Sequence, residues 1–446
     1  MKKRLLEMIL AGAMAVSLLS GCGGTAATAK KEVTITVKVP ALTMPTVADP
    51  EITTAYEFLT KAAEDFQMQY QDANVTVNVI EFAQEDETRS IPDTLGTAQA
   101  PDVVYAGYFN ISTYIHTGYV VPVDDIITDE IRSDIDQSWW DSSSLNGKTY
   151  MMPFLGLENV LSYNKKMFMD AGLEKYVSDN GEVQNWSIDE WNEILTALRA
   201  SLPAQAYPMM MYAGDNQGDT HIMTLLRMFG CEFFDADGHF NIESPEGLQA
   251  LQWIRDGLEA GWFPQNAENL VSNDAYNQFV MGNLAICFCN SALESNFASA
   301  VGEAKNYGFV NLPSVNGTGN NTTFITGFQV YDNGDAGKLA AAKAFVKYIY
   351  ESDYLDYCTG GLPASKKIAA KYAAELAGIQ KYIDVSGCNV NFTGNQPNWR
   401  GVRAVFYPHM QELLYGEKDI ETIAKELDAD CNAAIDEGYA NSTLHE

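Results

Sequence analysis

An α/β fold in two large lobes is what this sequence predicts, and three observations predict it. Residues 33 to 80 read as strand, helix and strand; further apolar runs and helical stripes follow down to the last residues; and the 446 residues are 46% apolar, ample for more than one core. In the first unit Val33, Ile35, Val37 and Val39 alternate with Thr34, Thr36 and Lys38, the period of a strand. Beyond a loop holding Pro40, Pro45 and Pro50, the residues Ala55, Phe58, Leu59, Ala62 and Phe66 fall at helical spacing, and Val75 to Ile80 returns as strand. Two strands of one layer joined by a helix imply a right-handed parallel unit.

Residues 1–21 precede this unit as an address. Lys2, Lys3 and Arg4 form a basic start, Leu5 to Leu19 a mostly apolar core too short to span a bilayer, and Leu19-Ser20-Gly21-Cys22 matches the bacterial lipobox. That motif implies cleavage before Cys22 and lipidation of its thiol, with residues 22–31 as lipidated cysteine and flexible tether. Removing residues 1–21 takes away three basic and one acidic side chain, so the net charge moves from −31 to about −33. A chain this acidic repels phosphate backbones and anionic membrane surfaces, which excludes nucleic acid as a partner. Of seven cysteines, Cys22 is taken by the lipid; Cys231, Cys287, Cys289, Cys358, Cys388 and Cys431 lack the paired spacing of a zinc site. Cys287 and Cys289 share one face of a strand and read as small buried hydrophobes, and no disulfide is predicted.

Pro101 to Tyr105 is the next strand. Ligands of open α/β sheets sit beyond the carboxyl ends of strands, so the loop Ala106 to Ile111, with Tyr108, Phe109 and Asn110, is the first candidate site. From Gly147 to Phe168 the chain reads as a turn at Asn146-Gly147, an apolar run broken by Pro153 and Gly156, and an extended run from Val160 to Tyr163 entering Asn164-Lys165-Lys166. Ser187 and Glu190 make a capping box, and Trp191, Ile194, Leu195 and Leu198 form the buried stripe of the helix that follows. Met209 to Met211 reads as buried strand, leading to the polar loop Gly214 to Asp219 and then His221. Asp235-Ala236-Asp237-Gly238 is a β-turn; it fails the calcium-loop pattern, whose Gly stands sixth, and no metal site is predicted. Ser244-Pro245 starts a helix with Leu248, Leu251, Ile254 and Leu258 inward and Gly261 beyond its end. Ala342, Phe345, Val346 and Ile349 form another helical stripe, and helices from Tyr407 to Tyr439 close the chain.

The order of Gly147, Lys148, Tyr150, Pro153, Tyr163, Asn164, Lys165 and Phe168 closely resembles a segment of the carbohydrate-binding extracellular solute-binding proteins of bacterial ABC importers, the family that includes maltose-binding protein. Ala100 to Val104, then Phe279, Gly282 and Ala285, Tyr307 to Pro313, Gly360 to Ala364, and Asn398 to Phe406 resemble family elements in the same order. The resemblance implies a type II, two-lobed periplasmic-binding-protein-like fold, each lobe a mostly parallel sheet flanked by helices. It implies a first lobe of residues 32–157 plus 313–356 and a second of 158–312 plus 357–446, hinged by passages near Leu157 to Leu161, Phe309 to Pro313 and Tyr354 to Cys358. By the same resemblance the cleft, besides Tyr108, Phe109 and Asn110 at the strand end, is lined by Glu158 and Asn159 on the first passage, and by Asp219, His221, Asn290, Thr326, Trp399 and Arg400. Trp399 falls where the family stacks an aromatic on sugar, whose C–H faces suit a broad apolar plate with an N–H handle. Asn290 and Ser291 are placed to bond a smaller ligand, since Ala292 stands where a second stacking Trp often occurs.

The resemblance thus implies a substrate-binding lipoprotein that captures a mono- or oligosaccharide between its lobes and delivers it to ABC permease transmembrane subunits. It would be extracytoplasmic, anchored to the membrane at Cys22, monomeric, without cofactor and not an enzyme. The rival readings are a secreted carbohydrate-active enzyme and a surface glycan-capture protein without a transporter. No Gly-x-Ser-x-Gly, His-Glu-x-x-His or P-loop occurs, though a catalytic carboxylate pair leaves no sequence signature.

Overall fold

The computed structural model of this chain describes residues 30–83, 90–214, 219–235, 237–290, 306–385, 393 and 396–444. Residues 1–21, Cys22, Ser291, Ala292 and Cys388 lie outside the described residues, as do the loop 215–218 and the side chain of Asp219.

β1 (Glu32–Pro40) and β2 (Asn74–Phe82) pair in parallel with Val33 opposite Val75, joined by the helix Ala55–Gln69. Thr54 and Glu57 cap that helix reciprocally, which satisfies two backbone donors at its start. β3 (Val103–Gly107) lies parallel to β1 on its other side. β4 (Ser144–Leu145) and β5 (Lys148–Thr149) form a small hairpin that turns through Asn146 at φ 51° and Gly147 at φ 73°, the left-handed backbone that Asn and Gly tolerate.

The next strand, β6 (Met152–Asn164), organises the rest, with β7 (Val183–Gln184), β8 (Tyr207–Met209), β9 (Leu284–Asn290), β10 (Tyr307–Val310), β11 (Thr322–Val330) and β12 (Leu362–Pro363). Its first half, Met152 to Asn159, pairs with β11, and Leu155 and Gly156 also pair with β12; β11 in turn pairs with β3. Its second half pairs with β9 over Asn159 to Tyr163 and with β10 over Leu161 to Asn164. β9 and β10 then carry β8 and β7 in parallel. One lobe therefore reads β2-β1-β3-β11-β6-β12 and the other β8-β9-β6-β10-β7, with β6 common to both. Each sheet is mixed, because every partner of β6 runs against it.

Two apolar cores follow this division in part, the first running on past β6 to Cys287 and Cys289 on β9, Phe309 on β10, and Tyr382. Ile35, Val37, Phe58, Phe154, Phe328 and Phe345 belong to the first; Trp191, Ile194, Leu195, Ile254, Phe406 and Leu427 to the second. Each of these side chains, fully covered, contributes about 1.5–3 kcal/mol relative to exposure. Phe109, Phe288 and Phe324 touch both cores. The capping box of Ser187 and Glu190 opens the helix Ile188–Ser201, and Ser244 caps the helix Pro245–Glu259. Asp235 and Gly238 form the expected turn, with Gly238 N donating to Asp235 O at 3.0 Å. Cys231, Cys287, Cys289, Cys358 and Cys431 are buried free thiols.

The first passage between lobes lies within β6, over Leu157 to Leu161. The other two lie further along the chain than the sequence places them. After β10 the chain turns at Ser314 to Gly319, where Val315 N donates to Met228 O of the second lobe, and Leu312 bridges Asn320; it enters the first lobe at Thr322, not at Pro313. Tyr354 to Cys358 is no passage either. Tyr354 Oη donates to Asp65 at 2.7 Å and Tyr357 Oη to Asp49 at 3.0 Å, both within the first lobe. Beyond Lys371, which pairs with Asp356, the chain reaches the second lobe with the helix Gln380–Val385, where Tyr382 packs on Phe309 at 6.0 Å. Tyrosine hydroxyls facing carboxylates hold this segment to the first lobe, and its apolar spacing alone does not reveal that.

Candidate functional site

Where β6 passes between the lobes two of its side chains, Glu158 and Asn159, are polar, and each meets a polar partner from another strand. Thr323 stands opposite Glu158 in register, and its Oγ1 donates to Glu158 Oε2; Oε1 has no hydrogen-bond partner among the described residues. Glu158 is 0% exposed, and burial pushes its pKa up to about 8 while the Thr323 bond pulls the other way. At neutral pH the carboxyl is mostly protonated, so Oε1 offers a neutral donor. Asn159 Nδ2 donates to Thr322 O at 2.9 Å, and its Oδ1 accepts from Asn290 Nδ2 at 3.3 Å. One amide therefore ties β6 to β9 and β11.

A second amide does the same for the other passages. Asn321 Nδ2 donates to Asn311 Oδ1 at 3.2 Å and to Val385 O at 2.9 Å, and Asn311 Nδ2 donates to Asn185 Oδ1 at 2.8 Å. Sequence reasoning missed Asn311, Asn321, Thr322, Thr323 and Phe324. The polar run Asn320-Asn321-Thr322-Thr323 directly before an apolar strand was the available signal.

The turn Tyr108–Asn110 follows β3, as the strand-end rule requires. Tyr108 stacks on Phe109 with ring centroids 4.8 Å apart, and Phe109 meets Phe324 edge-on at 4.5 Å. The helix Trp399–Tyr415 of the second lobe touches this turn, so the lobes are in contact here. Thr326 is half-buried on β11, in register with Gly107 and Leu155, and Arg400 is exposed.

Two further expected ligand residues are covered, as Tyr108, Glu158, Asn159 and Asn290 are, but by apolar packing or a ring stack. Trp399 opens its helix behind the cap Asn398 and is 1% exposed, in one cluster with Val402, Phe406 and Met410; it is a core side chain here and not an open plate. His221 is 2% exposed, stacked on Tyr212 at 5.1 Å, with Nε2 2.7 Å from Met210 O. Burial lowers its pKa to about 4, so the ring is neutral, Nε2–H donates to the carbonyl, and Nδ1 is an acceptor without a partner among the described residues. The structure therefore brings together Tyr108 and Phe109 with Phe324, and Glu158, Asn159 and Asn290 with Thr322 and Thr323. Elsewhere in the second lobe His409, Glu412 and Glu426 converge, and Lys418 Nζ lies 2.8 and 2.6 Å from the two carboxylates, supplying positive charge there.

Two lobes sharing one strand, with neutral hydrogen-bonding groups and aromatic faces at the crossing, define a two-lobed binding protein. Residues 49–355 match the family described as bacterial extracellular solute-binding protein, and the chain belongs to that family. It is similar to a binding protein of Brucella abortus strain 2308, 20% identical over 326 residues that cover 72% of this chain and 76% of the relative. It is also similar to the diacetylchitobiose binding protein DasA of Streptomyces coelicolor, 27% identical over 193 residues, 42% of each chain. Among solved structures, the sugar-binding protein MalE of Xanthomonas citri shares the fold with a TM-score of 0.73 at 17% identity, covering 91% of this chain and 98% of that one. Among the described residues no helix is long and apolar enough to cross a membrane.

Proposed function

We propose that this chain is the carbohydrate-capturing component of an ABC importer, closing two lobes over a mono- or oligosaccharide and handing it to the permease's transmembrane subunits. The observation that supports this reading is the polar group on β6: Glu158 and Asn159, with Asn290, Thr322 and Thr323 from the strands beside them, lie where β6 passes from one lobe to the other. Sugars need hydroxyl partners that both donate and accept, and an apolar face for their C–H edges. Neutral amides, threonine hydroxyls and a protonated carboxyl supply the first; Tyr108, Phe109 and Phe324 supply the second. Asn110, Thr326 and Arg400 complete the walls, with Trp399 and His221 backing them from the second lobe. The names of DasA and MalE, which speak of diacetylchitobiose and of sugar, support the ligand class.

The reading includes anchoring. Cleavage before Cys22 and lipidation of its thiol tether a monomer to the outer face of the cell membrane. Cys22→Ala is expected to release the protein into the medium or leave it uncleaved; unchanged membrane association with the leader removed overturns the anchor. The ligand is tested with the purified mature chain, a panel of mono- and oligosaccharides, and two readouts, thermal stabilisation and chromatography of the recovered sugar. A bound sugar at about 100 times its Kd stabilises by about 2.7 kcal/mol. One saccharide is expected to raise the melting temperature and to return intact. Cleavage products would make the protein an enzyme, and stabilisation by no saccharide would remove the carbohydrate.

A further inference from the structure

The helix Ile420–Ala440 belongs to the second core through Ile423, Leu427, Cys431 and Ile435, yet the residues that follow it are bound to the first lobe. Past the helix end Leu444 N donates to Ser442 Oγ at 3.2 Å, a local turn that sets residues 442–444 against residues 116–118. Thr443 N donates to His116 O at 2.9 Å, Thr443 Oγ1 donates to Thr117 O, and Ser442 Oγ lies 2.8 Å from His116 Nδ1. Leu444 packs against the first core, and the Tyr439 ring stands edge-on to His116 at 5.5 Å. Gly118 has φ 76°, and a Cβ there would stand 2.8 Å from Thr443 Oγ1, so the first lobe meets this segment with bare backbone.

Residues 116–118 end the helix Ile111–Ile115, which directly follows the aromatic turn Tyr108–Asn110. The second lobe thus grips the part of the first that carries the apolar face of the candidate site. These contacts stand apart from the three passages, where the chain itself joins the lobes. A hydrogen bond is lost once its heavy atoms stand beyond about 3.5 Å. Parting of the lobes at this point therefore breaks these bonds or peels residues 442–444 from the end of their helix, and either costs free energy. Thr443 is exposed and Ser442 half-buried, so the segment lies at the surface, where it can release without unpacking a core.

We propose that residues 442–444 are a releasable strap of the second lobe on the first, which holds the joined arrangement of the lobes and so sets how readily the cleft opens. The effect on sugar affinity rests on the carbohydrate reading above; the strap itself does not. A ligand that binds only the joined arrangement loses apparent affinity in proportion to the molecules whose lobes are parted, so the strap raises affinity without touching the sugar.

The test pairs two variants of the mature chain. Ser442→Ala with Thr443→Pro removes the three hydrogen bonds to His116 and Thr117, whereas Thr443→Ser keeps them. Solution X-ray scattering without sugar reads the separation of the lobes, and the melting temperature reads the fold. The double variant is expected to have a larger radius of gyration than the parent at a nearly unchanged melting temperature, and Thr443→Ser the parent's radius. In titrations with the panel of mono- and oligosaccharides, the double variant should bind about tenfold more weakly than the parent. Leu444→Asn, which leaves the hydrogen bonds in place and removes the apolar contact, should also enlarge the radius and gives a second reading should the double variant melt early. Equal or smaller radii in both the double variant and Leu444→Asn overturn the strap. A larger radius in these variants while no saccharide binds any of the chains upholds the strap and removes the carbohydrate instead.

Discussion

Glu158 meets Thr323 on one oxygen in a fully covered position, and its raised pKa has a stability consequence with a definite sign. Between the ordinary carboxylate range and about 8 the folded chain holds this proton more tightly than the unfolded chain does. The contribution is therefore fully present below the ordinary value, is lost as pH rises toward 8, and stays lost above it. At roughly 1.4 kcal/mol per pKa unit, Glu158→Gln should gain on the parent by on the order of 3 kcal/mol between pH 5 and 9. A melting-temperature difference that is the same at both pH values would show that Glu158 is not buried as described. His221 works in the opposite window, because its pKa is depressed to about 4: its contribution is present above the ordinary histidine value and fades as pH falls toward 4. Trp399→Ala opens a hole in the second core and should cost about 3–5 kcal/mol in urea unfolding. An unchanged midpoint with sugar affinity about 30-fold weaker would return Trp399 to the cleft as a stacking plate.

β11 is the element on which the first lobe's closure onto β6 depends. At its register shift between Thr326 and Gly327, a Cβ on Gly327 would stand 2.2 Å from Met152 O, a backbone atom that cannot turn aside. Gly327→Ala should therefore push β11 off β6, with a loss of about 2–4 kcal/mol, and should disturb sugar binding with it, since Thr322 and Thr323 ride on the same strand. Ser187→Ala offers the contrast. It removes a helix cap in the second lobe, away from the crossing, for about 1 kcal/mol and no change in affinity. If Gly327→Ala unfolds no more easily than Ser187→Ala, the tight β11–β6 contact is wrong.

At the scale of the whole molecule, motion must be confined to the three passages, where few residues absorb the change in backbone angles. Asn159 and Asn321 tie these passages side by side, the arrangement that a single joint requires in the proposed closure. A ligand shifts the balance between open and closed only by its differential affinity, and contact with both lobes at once supplies the difference. The radius of gyration from solution X-ray scattering should shrink when the bound sugar is added. Two acidic lobes also repel each other at low ionic strength, so without sugar the radius should be larger there than at high salt. A radius that ignores saturating sugar would mean a rigid molecule or a site within one lobe.

What the sequence determined by itself was everything that near neighbours decide. The alternation from Val33 to Val39, the capping boxes, the left-handed turn at Asn146-Gly147 and the long run through Pro153 and Gly156 are local physics, written within a few residues of where they act. The order of family-like motifs added the two-lobed plan, and the rule that ligands lie beyond the carboxyl ends of strands added the aromatic turn at Tyr108 to Asn110. Only the tertiary structure decided which distant partner each polar group meets. Asn159 finds Asn290 at 131 residues' remove and Asn321 finds Val385 at 64, and no local pattern encodes either pairing. For the same reason the second and third passages moved down the chain, since Tyr354 and Tyr357 are held by Asp65 and Asp49, hundreds of residues away. Trp399 and His221 carry the residue types of a ligand site, but whether a ring faces a cleft or a core depends on what packs over it, and that is settled by the whole fold.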